Sequence, residues 1–145
     1  MKFKTAMITR PFDKSDQQAV IDLWTDCGLV VPWNDPLKDI ERKLKVDPDL
    51  FLVGELNGEI VASVMGGYEG HRGWINYLAV SPRHQRKGYG RLIMEAVELA
   101  IAQKGCPKIN LQIRAGNTDI AAFYQSIGYD IDNVIGLGKR LEPDN

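Results

Sequence analysis

The run from Trp74 to Gln103, W-I-N-Y-L-A-V-S-P-R-H-Q-R-K-G-Y-G-R-L-I-M-E-A-V-E-L-A-I-A-Q, constrains the fold more than any other part of the chain. An apolar strand ends at Leu78-Ala79-Val80, and Ser81-Pro82 interrupts it. A basic loop from Arg83 to Lys87 follows, and Gly88 and Gly90 open a helix. In that helix Tyr89, Leu92, Ile93, Ala96, Val97 and Ala100 recur at helical spacing as one apolar stripe, until Gly105 and Pro107 stop it. Lys108–Ile113 then reads as a strand. The strand–helix–strand unit closes as a right-handed crossover, so the two strands are expected parallel at the centre of a sheet.

The preceding residues supply antiparallel partners. Ala6–Pro11 reads as a first strand. Ser15 and Gln18 fit a capping box ahead of a helix from about Asp16 to Cys27, with Val20, Leu23, Trp24 and Cys27 on one face and Gly28 at its end. After an irregular apolar segment, Asp35-Pro36 starts a short helix carrying Leu37, Ile40 and Leu44. Leu50–Leu56 and Glu59–Gly67 are strands joined by Asn57-Gly58, a tight-hairpin signal. The turn Gly70-His71-Arg72-Gly73 leads into Trp74. Beyond the second parallel strand, Asn117 or Thr118 caps a helix with Ile120, Ala121, Phe123, Tyr124 and Ile127, ended by Gly128. Tyr129–Leu141 is expected to add a last strand or strand pair. The fold class is α/β: a single mixed sheet with helices on both faces.

The 145 residues suit one domain, 1–145, and a formal net charge of −1 disfavours duplex nucleic acid as a partner. No apolar run approaches the ~20 residues that cross a bilayer, so no membrane partner is expected. The N-terminus lacks a signal-peptide apolar core. The two cysteines, Cys27 and Cys106, have no metal-ligand spacing, and no metal is expected. A reducing, cytoplasmic setting follows from so few cysteines.

Gln85-Arg86-Lys87-Gly88-Tyr89-Gly90 has the form Q-x-x-G-x-G. Backbone amides at such a turn, with the positive end of a helix dipole, suit a pyrophosphate. Arg83, Arg86, Lys87 and Arg91 add charge for a further phosphate. Taken alone, glycines that serve helix packing would read the same way. A dinucleotide fold would need a third glycine, and a nucleotide P-loop would need G-K-[ST]. Neither is present.

Three segments settle the context: L-A-V-S-P-R-H-Q-R-K-G-Y-G-R-L-I-M-E, L-Q-I-R-A-G-N and A-A-F-Y-Q-S-I-G-Y. With the opening I-T-R-P-F and the element order, they resemble the GNAT superfamily of N-acetyltransferases over nearly the whole chain, and within it the YpeA-like group of small bacterial enzymes. The resemblance implies a bulge in the strand at Trp74–Val80, which splays from Lys108–Ile113 to form a V-shaped cleft for the acetyl-pantetheine arm of acetyl-CoA. It implies that the backbone at Leu78 and Val80 bonds the acetyl carbonyl and pantetheine amides. The backbone amides of Gln85, Arg86, Lys87, Gly88, Tyr89, Gly90 and Arg91 would hold the pyrophosphate, and Asn117 would reach the pantetheine arm. Tyr124 would be the catalytic acid, protonating the leaving thiolate.

The pattern breaks at the general base. The positions that often carry a carboxylate hold Trp74 and Gln112, and Glu69 is the nearest acid by sequence. Trp33, Asn34 and Glu69 are candidate acceptor contacts, with Val31 and Asp35 beside them. The implied activity is acetyl transfer from acetyl-CoA to a primary amine, small-molecule or protein, by direct attack in a ternary complex. A non-catalytic coenzyme-A-binding module is the alternative, and a homodimer is among the assemblies the family implies.

Overall fold

The structure is a computed structural model that describes residues 6–144; the segment Met1–Thr5, part of the N-terminus read for a leader, lies outside the described residues. Its elements are β1 (Ile8–Pro11), α1 (Gln17–Asp26), α2 (Pro36–Lys43), β2 (Phe51–Leu56), β3 (Glu59–Tyr68), β4 (Gly73–Val80), α3 (Tyr89–Gln103), β5 (Ile109–Leu111) and α4 (Thr118–Ser126). The five strands form one mixed sheet in the order β1-β2-β3-β4-β5. The first four are mutually antiparallel, and β5 is parallel to β4. At the β2–β3 hairpin Asn57 and Gly58 both take positive φ, 53° and 81°, the conformation that a two-residue turn of this twist requires.

Helices cover both faces, as the apolar patterns predict. On one side α3 and α4 bury Ile93, Met94, Val97, Ile101 and Tyr124 against Leu52, Val64 and Ile75. On the other, α1 and α2 bury Val20, Leu23, Trp24 and Ile40 against Phe51, Val53 and Met65. Alternate residues of β2 thus feed opposite cores, which is why its sequence is continuously apolar.

Four expectations are corrected. The strand expected from Ala6 begins at Ile8. The capping box is made by Asp13 and Asp16, not Ser15 and Gln18. The Asp13 carboxylate accepts from the Ser15 amide at 2.9 Å, and the Asp16 carboxylate accepts from the Asp13 amide at 2.8 Å. Arg10 decides the shift by donating to both Asp16 oxygens, at 2.7 and 2.9 Å, while the Gln18 side chain turns to Asp22. The parallel pair lies at the sheet edge, because nothing pairs beyond β5 among the described residues. Tyr129–Leu141 contributes no strand there. Side-chain staples hold that segment and the residues after it in place of a backbone ladder: Lys108–Asp132 at 2.9 Å, Arg140 to Asn34 at 2.9 Å and, beyond the segment, Arg42–Asp144 at 2.7 Å.

Asp144 is the deepest of these staples, its side chain 2% exposed. Its carboxylate accepts from Arg42 and from the Asp35 amide at 3.0 Å. The Arg42 hydrogen bond and then that amide pull its pKa down to about 2. A folded pKa below the unfolded value stabilises the fold above about pH 4, and that stabilisation is lost as pH falls toward the folded pKa. Wild type should therefore melt above Asp144→Asn at neutral pH, with the difference closing as pH drops to about 2. A pH-independent difference in thermal melts would contradict this.

Candidate active site

The bulge implied for β4 is present. Ser63 and Met65 of β3 face Ala79 and Asn76, so the register slips within β4 between them. Tyr77 sits in the slip at φ 51°, a left-handed conformation that β-structure and an aromatic residue both resist. Packing holds it there. Its ring stacks on Trp24 with centroids 3.9 Å apart, its phenol donates to Asp39 at 2.6 Å, and Ser63 Oγ donates to its carbonyl at 3.2 Å. Burial, then the Asp39 hydrogen bond, push its phenol pKa well above the ordinary range.

The bulge opens the sheet. Pairing of β4 with β5 spans only Gly73–Ile75 against Ile109–Leu111, so from Asn76 to Val80 the side of β4 facing β5 has no strand partner. The Ser81 amide donates to Val61 at 2.8 Å on the β3 side. A trans peptide points the preceding carbonyl the other way, which aims the Val80 carbonyl into the opening. There it accepts from Cys27 Sγ at 3.3 Å and Gln85 Nε2 at 3.2 Å. These side-chain donors fill a place that a ligand amide can take. Leu78 lies beside the bulge on the same stretch.

The basic turn runs from this strand end into α3. Gly88 is the α3 N-cap at φ 83°, and no side chain caps the helix. The amides of Tyr89, Gly90 and Arg91 therefore have no intrahelical acceptor. Arg86, also at positive φ (64°), bends the loop ahead of them. The two glycines serve different ends. A Cβ at Gly88 would meet nothing within 4 Å, so its need is conformational, whereas one at Gly90 would press on Phe123 at 3.2 Å, so its need is packing against α4. Arg83 pairs with Glu59 at 2.7 Å and Arg91 with Glu95 at 3.4 Å. Arg86 and Lys87 have no carboxylate partner among the described residues. His84 Nδ1, in the same turn, is buried without a hydrogen-bond partner. Orphaned donors, an unpartnered imidazole nitrogen and two free cations fit a pyrophosphate.

A cavity of about 1520 Å³ opens beside β5, lined by Trp74, Gln112, Arg114, Asn117 and Tyr124 among others. Tyr124 is 7% exposed, edge-on to Phe123 and Tyr129 at centroid distances of 5.3 and 5.5 Å. Burial alone pushes its phenol up to about 12, so it stays a proton donor at neutral pH. Asn117 spends its side-chain oxygen capping α4, accepting from Ile120 at 3.3 Å, which leaves its amide nitrogen for the cavity. Leu78, Val80 and the turn do not line this cavity; they meet Tyr124 through Phe123, which touches Gly90.

The acceptor candidates separate. Trp33 is 50% exposed, with the Arg114 guanidinium 5.1 Å above its ring, and Asn34 accepts from Arg140. Asp35 caps α2, accepting from Leu37 at 2.9 Å. Glu69 closes its own turn, accepting from the amides of Arg72 and His71, and those bonds lower its pKa. Among the described residues no group of His, Cys, Asp and Glu is arranged to hold a metal ion, and no helix is long and apolar enough to cross a membrane.

Sequence reading missed Tyr77, Asp39 and Arg114. Tyr77 looked like one more apolar strand residue, and only its +51° φ marks it. Asp39 lies on the polar face of a short helix, with no local signal tying it to a strand 38 residues on.

An open sheet with a bulged strand, a splayed parallel neighbour and an uncapped helix behind a basic turn defines an acyltransferase architecture. The chain belongs to the acetyltransferase (GNAT) family, whose model matches residues 17–129. An acetyltransferase of Pectobacterium atrosepticum is 49% identical over 138 residues, covering 95% of this chain and 98% of that one. One of Sodalis glossinidius is 48% identical over 139 residues with the same coverage. Together with the family match, these make the protein an N-acetyltransferase. Among solved structures, the aminoglycoside acetyltransferase AAC(6')-Iy bound to a bisubstrate analogue superposes with a TM-score of 0.77 at 19% identity, covering 93% of this chain and 99% of that one. Ard1 from Thermoplasma volcanium superposes with 0.76 at 22%, covering 88% and 84%. At these identities the likeness is one of fold.

Proposed function

We propose that the protein transfers the acetyl group of acetyl-CoA to a primary amine by direct attack in a ternary complex. The observation that carries this reading is the β4 bulge at Tyr77, which frees the strand edge next to the uncapped α3 N-terminus. A pantetheine arm on the Asn76–Val80 edge would place its pyrophosphate on the amides of Tyr89, Gly90 and Arg91, with Arg86 and Lys87 alongside. The AAC(6')-Iy neighbour, solved with CoA-S-monomethyl-acetylneamine, supports a cleft that takes coenzyme and amine together.

The residues then divide the work. The Leu78 backbone holds the acetyl carbonyl while negative charge develops on its oxygen. The amine nitrogen forms the new C–N bond and the C–S bond breaks. Tyr124 gives its proton to the departing sulfur and regains one that the nitrogen sheds to solvent. A thiolate of parent pKa ~8.5 is a weaker base than a phenolate at about 12, so the transfer is uphill for the isolated pair and goes forward coupled to the proton that the nitrogen releases. A phenol placed in the cavity favours catalysis over coenzyme binding alone, since a binder needs no proton donor.

Calorimetry with acetyl-CoA, followed by thiol release with a panel of amines, tests the reading. Saturable binding and amine-dependent thiol release are expected. Gly88→Val should abolish binding with a loss of about 1–2 kcal/mol in stability, because valine must leave the left-handed region and take the turn amides with it. Wild type that shows no binding at millimolar acetyl-CoA would sink the proposal.

A further inference from the structure

Two guanidinium groups lie around Trp33 and Asn34, away from the basic turn ahead of α3. Arg114, just past β5, lies over the Trp33 ring at 5.1 Å and lines the cavity that holds Tyr124. Its guanidinium has no carboxylate partner and no hydrogen bond among the described residues, although its backbone carbonyl accepts from the Asn117 amide at 3.1 Å. Arg140, from the C-terminal segment, donates to the side chain of Asn34, the neighbour of Trp33, at 2.9 Å. Two elements far apart in sequence thus bring cations to one dipeptide.

The acids nearby are already engaged. Asp144 is ion-paired to Arg42 at 2.7 Å and more distantly to Arg140 at 4.0 Å, Asp39 accepts from Tyr77 and Arg42, and Asp35 caps α2. What the wall offers an incoming molecule is therefore an unspent planar fork above an indole, with Arg140 beside it. A cation–π contact with the ring spends none of the guanidinium N–H donors, which suit a carboxylate.

Resting on the acetyl-transfer reading above, we infer that the acceptor is a small amine that also carries a carboxylate, bound by Arg114 with Arg140 alongside. Its amine end lies toward the β4 bulge and Tyr124, and its carboxylate toward Trp33–Asn34. Polycationic amines meet like charge at the same place and are poor acceptors. A protein N-terminus, whose neighbouring carbonyl is an uncharged amide, leaves the fork unfilled.

The test compares free α-amino acids with their decarboxylated amines, and both with a lysine-containing peptide and a polyamine, by thiol release. The carboxylate-bearing acceptors should lead their decarboxylated partners by about 10- to 100-fold in kcat/KM, the scale of a charge-assisted hydrogen-bonded pair. Arg114→Gln should erase most of that ratio by raising acceptor KM, and Arg114→Lys should restore part of it, with acetyl-CoA affinity by calorimetry as the control. Equal rates for the paired acceptors overturn the inference, as does preference for the peptide or polyamine, or a ratio unmoved in Arg114→Gln. Acetyl-CoA binding without turnover of any acceptor overturns it too. Failure of acetyl-CoA to bind would instead be failure of the underlying reading.

Discussion

Tyr124→Phe is expected to lower kcat by about 10²- to 10⁴-fold, the range for losing a positioned general acid, with acetyl-CoA affinity nearly unchanged. The substitution removes one oxygen and keeps the ring that packs edge-on to Phe123 and Tyr129. No hydrogen bond to that hydroxyl holds the fold together among the described residues, so stability should barely move. Burial holds the phenol at about 12, so the group remains protonated through neutral and mildly alkaline pH. An alkaline fall in wild-type rate below pH ~10 would then belong to another group. Single-turnover thiol release measures the effect, and a variant with wild-type kcat would remove Tyr124 as the acid.

Trp24→Ala should be the most damaging change for stability, costing about 3–5 kcal/mol. The indole is fully buried, stacks on Tyr77 and on Phe51 at 6.2 Å, and donates to Ser63 Oγ at 2.9 Å. It therefore fills the core on the α1–α2 face and also braces the left-handed residue at the bulge. With a typical domain stability of about 5–15 kcal/mol, this loss brings the protein close to unfolding. Urea denaturation should show the shifted midpoint. A loss below about 1 kcal/mol would mean that the bulge stands without its brace.

How much of this was legible in the chain depends on the range over which each signal acts. The Asn57-Gly58 hairpin and the Asp35-Pro36 helix start are encoded within a few neighbouring residues, and the structure contains both. The α3 stripe holds at Ile93 and Val97, but Leu92 is 46% exposed while Met94 and Ile101, outside the expected stripe, are buried. The first cap lies two residues earlier than its local sequence suggests, because Arg10, on the adjoining strand, holds Asp16 in the role expected of Gln18 and Asp13 takes that of Ser15. Tyr129–Leu141 has apolar residues at strand spacing, yet Ile131, Ile135, Leu137 and Leu141 are 81–93% exposed. Its placement rests on the Lys108–Asp132 ion pair and on Arg140, which donates to Asn34 across 106 positions, contacts that no window of sequence displays. The basic turn ahead of α3 is readable in outline, but not that Gly88 answers to backbone conformation and Gly90 to Phe123.

The contact between Cys27 and the Val80 carbonyl bears on which nucleophiles compete in the cleft. A cysteine thiolate beside a thioester would invite transthioesterification, storing the acetyl group on the protein. Burial raises the Cys27 pKa, so the sulfur keeps its proton and spends it on a carbonyl. When a ligand amide takes its place at Val80, the same burial still favours the protonated thiol, so in the proposed cleft Cys27 is a poor rival to an incoming amine.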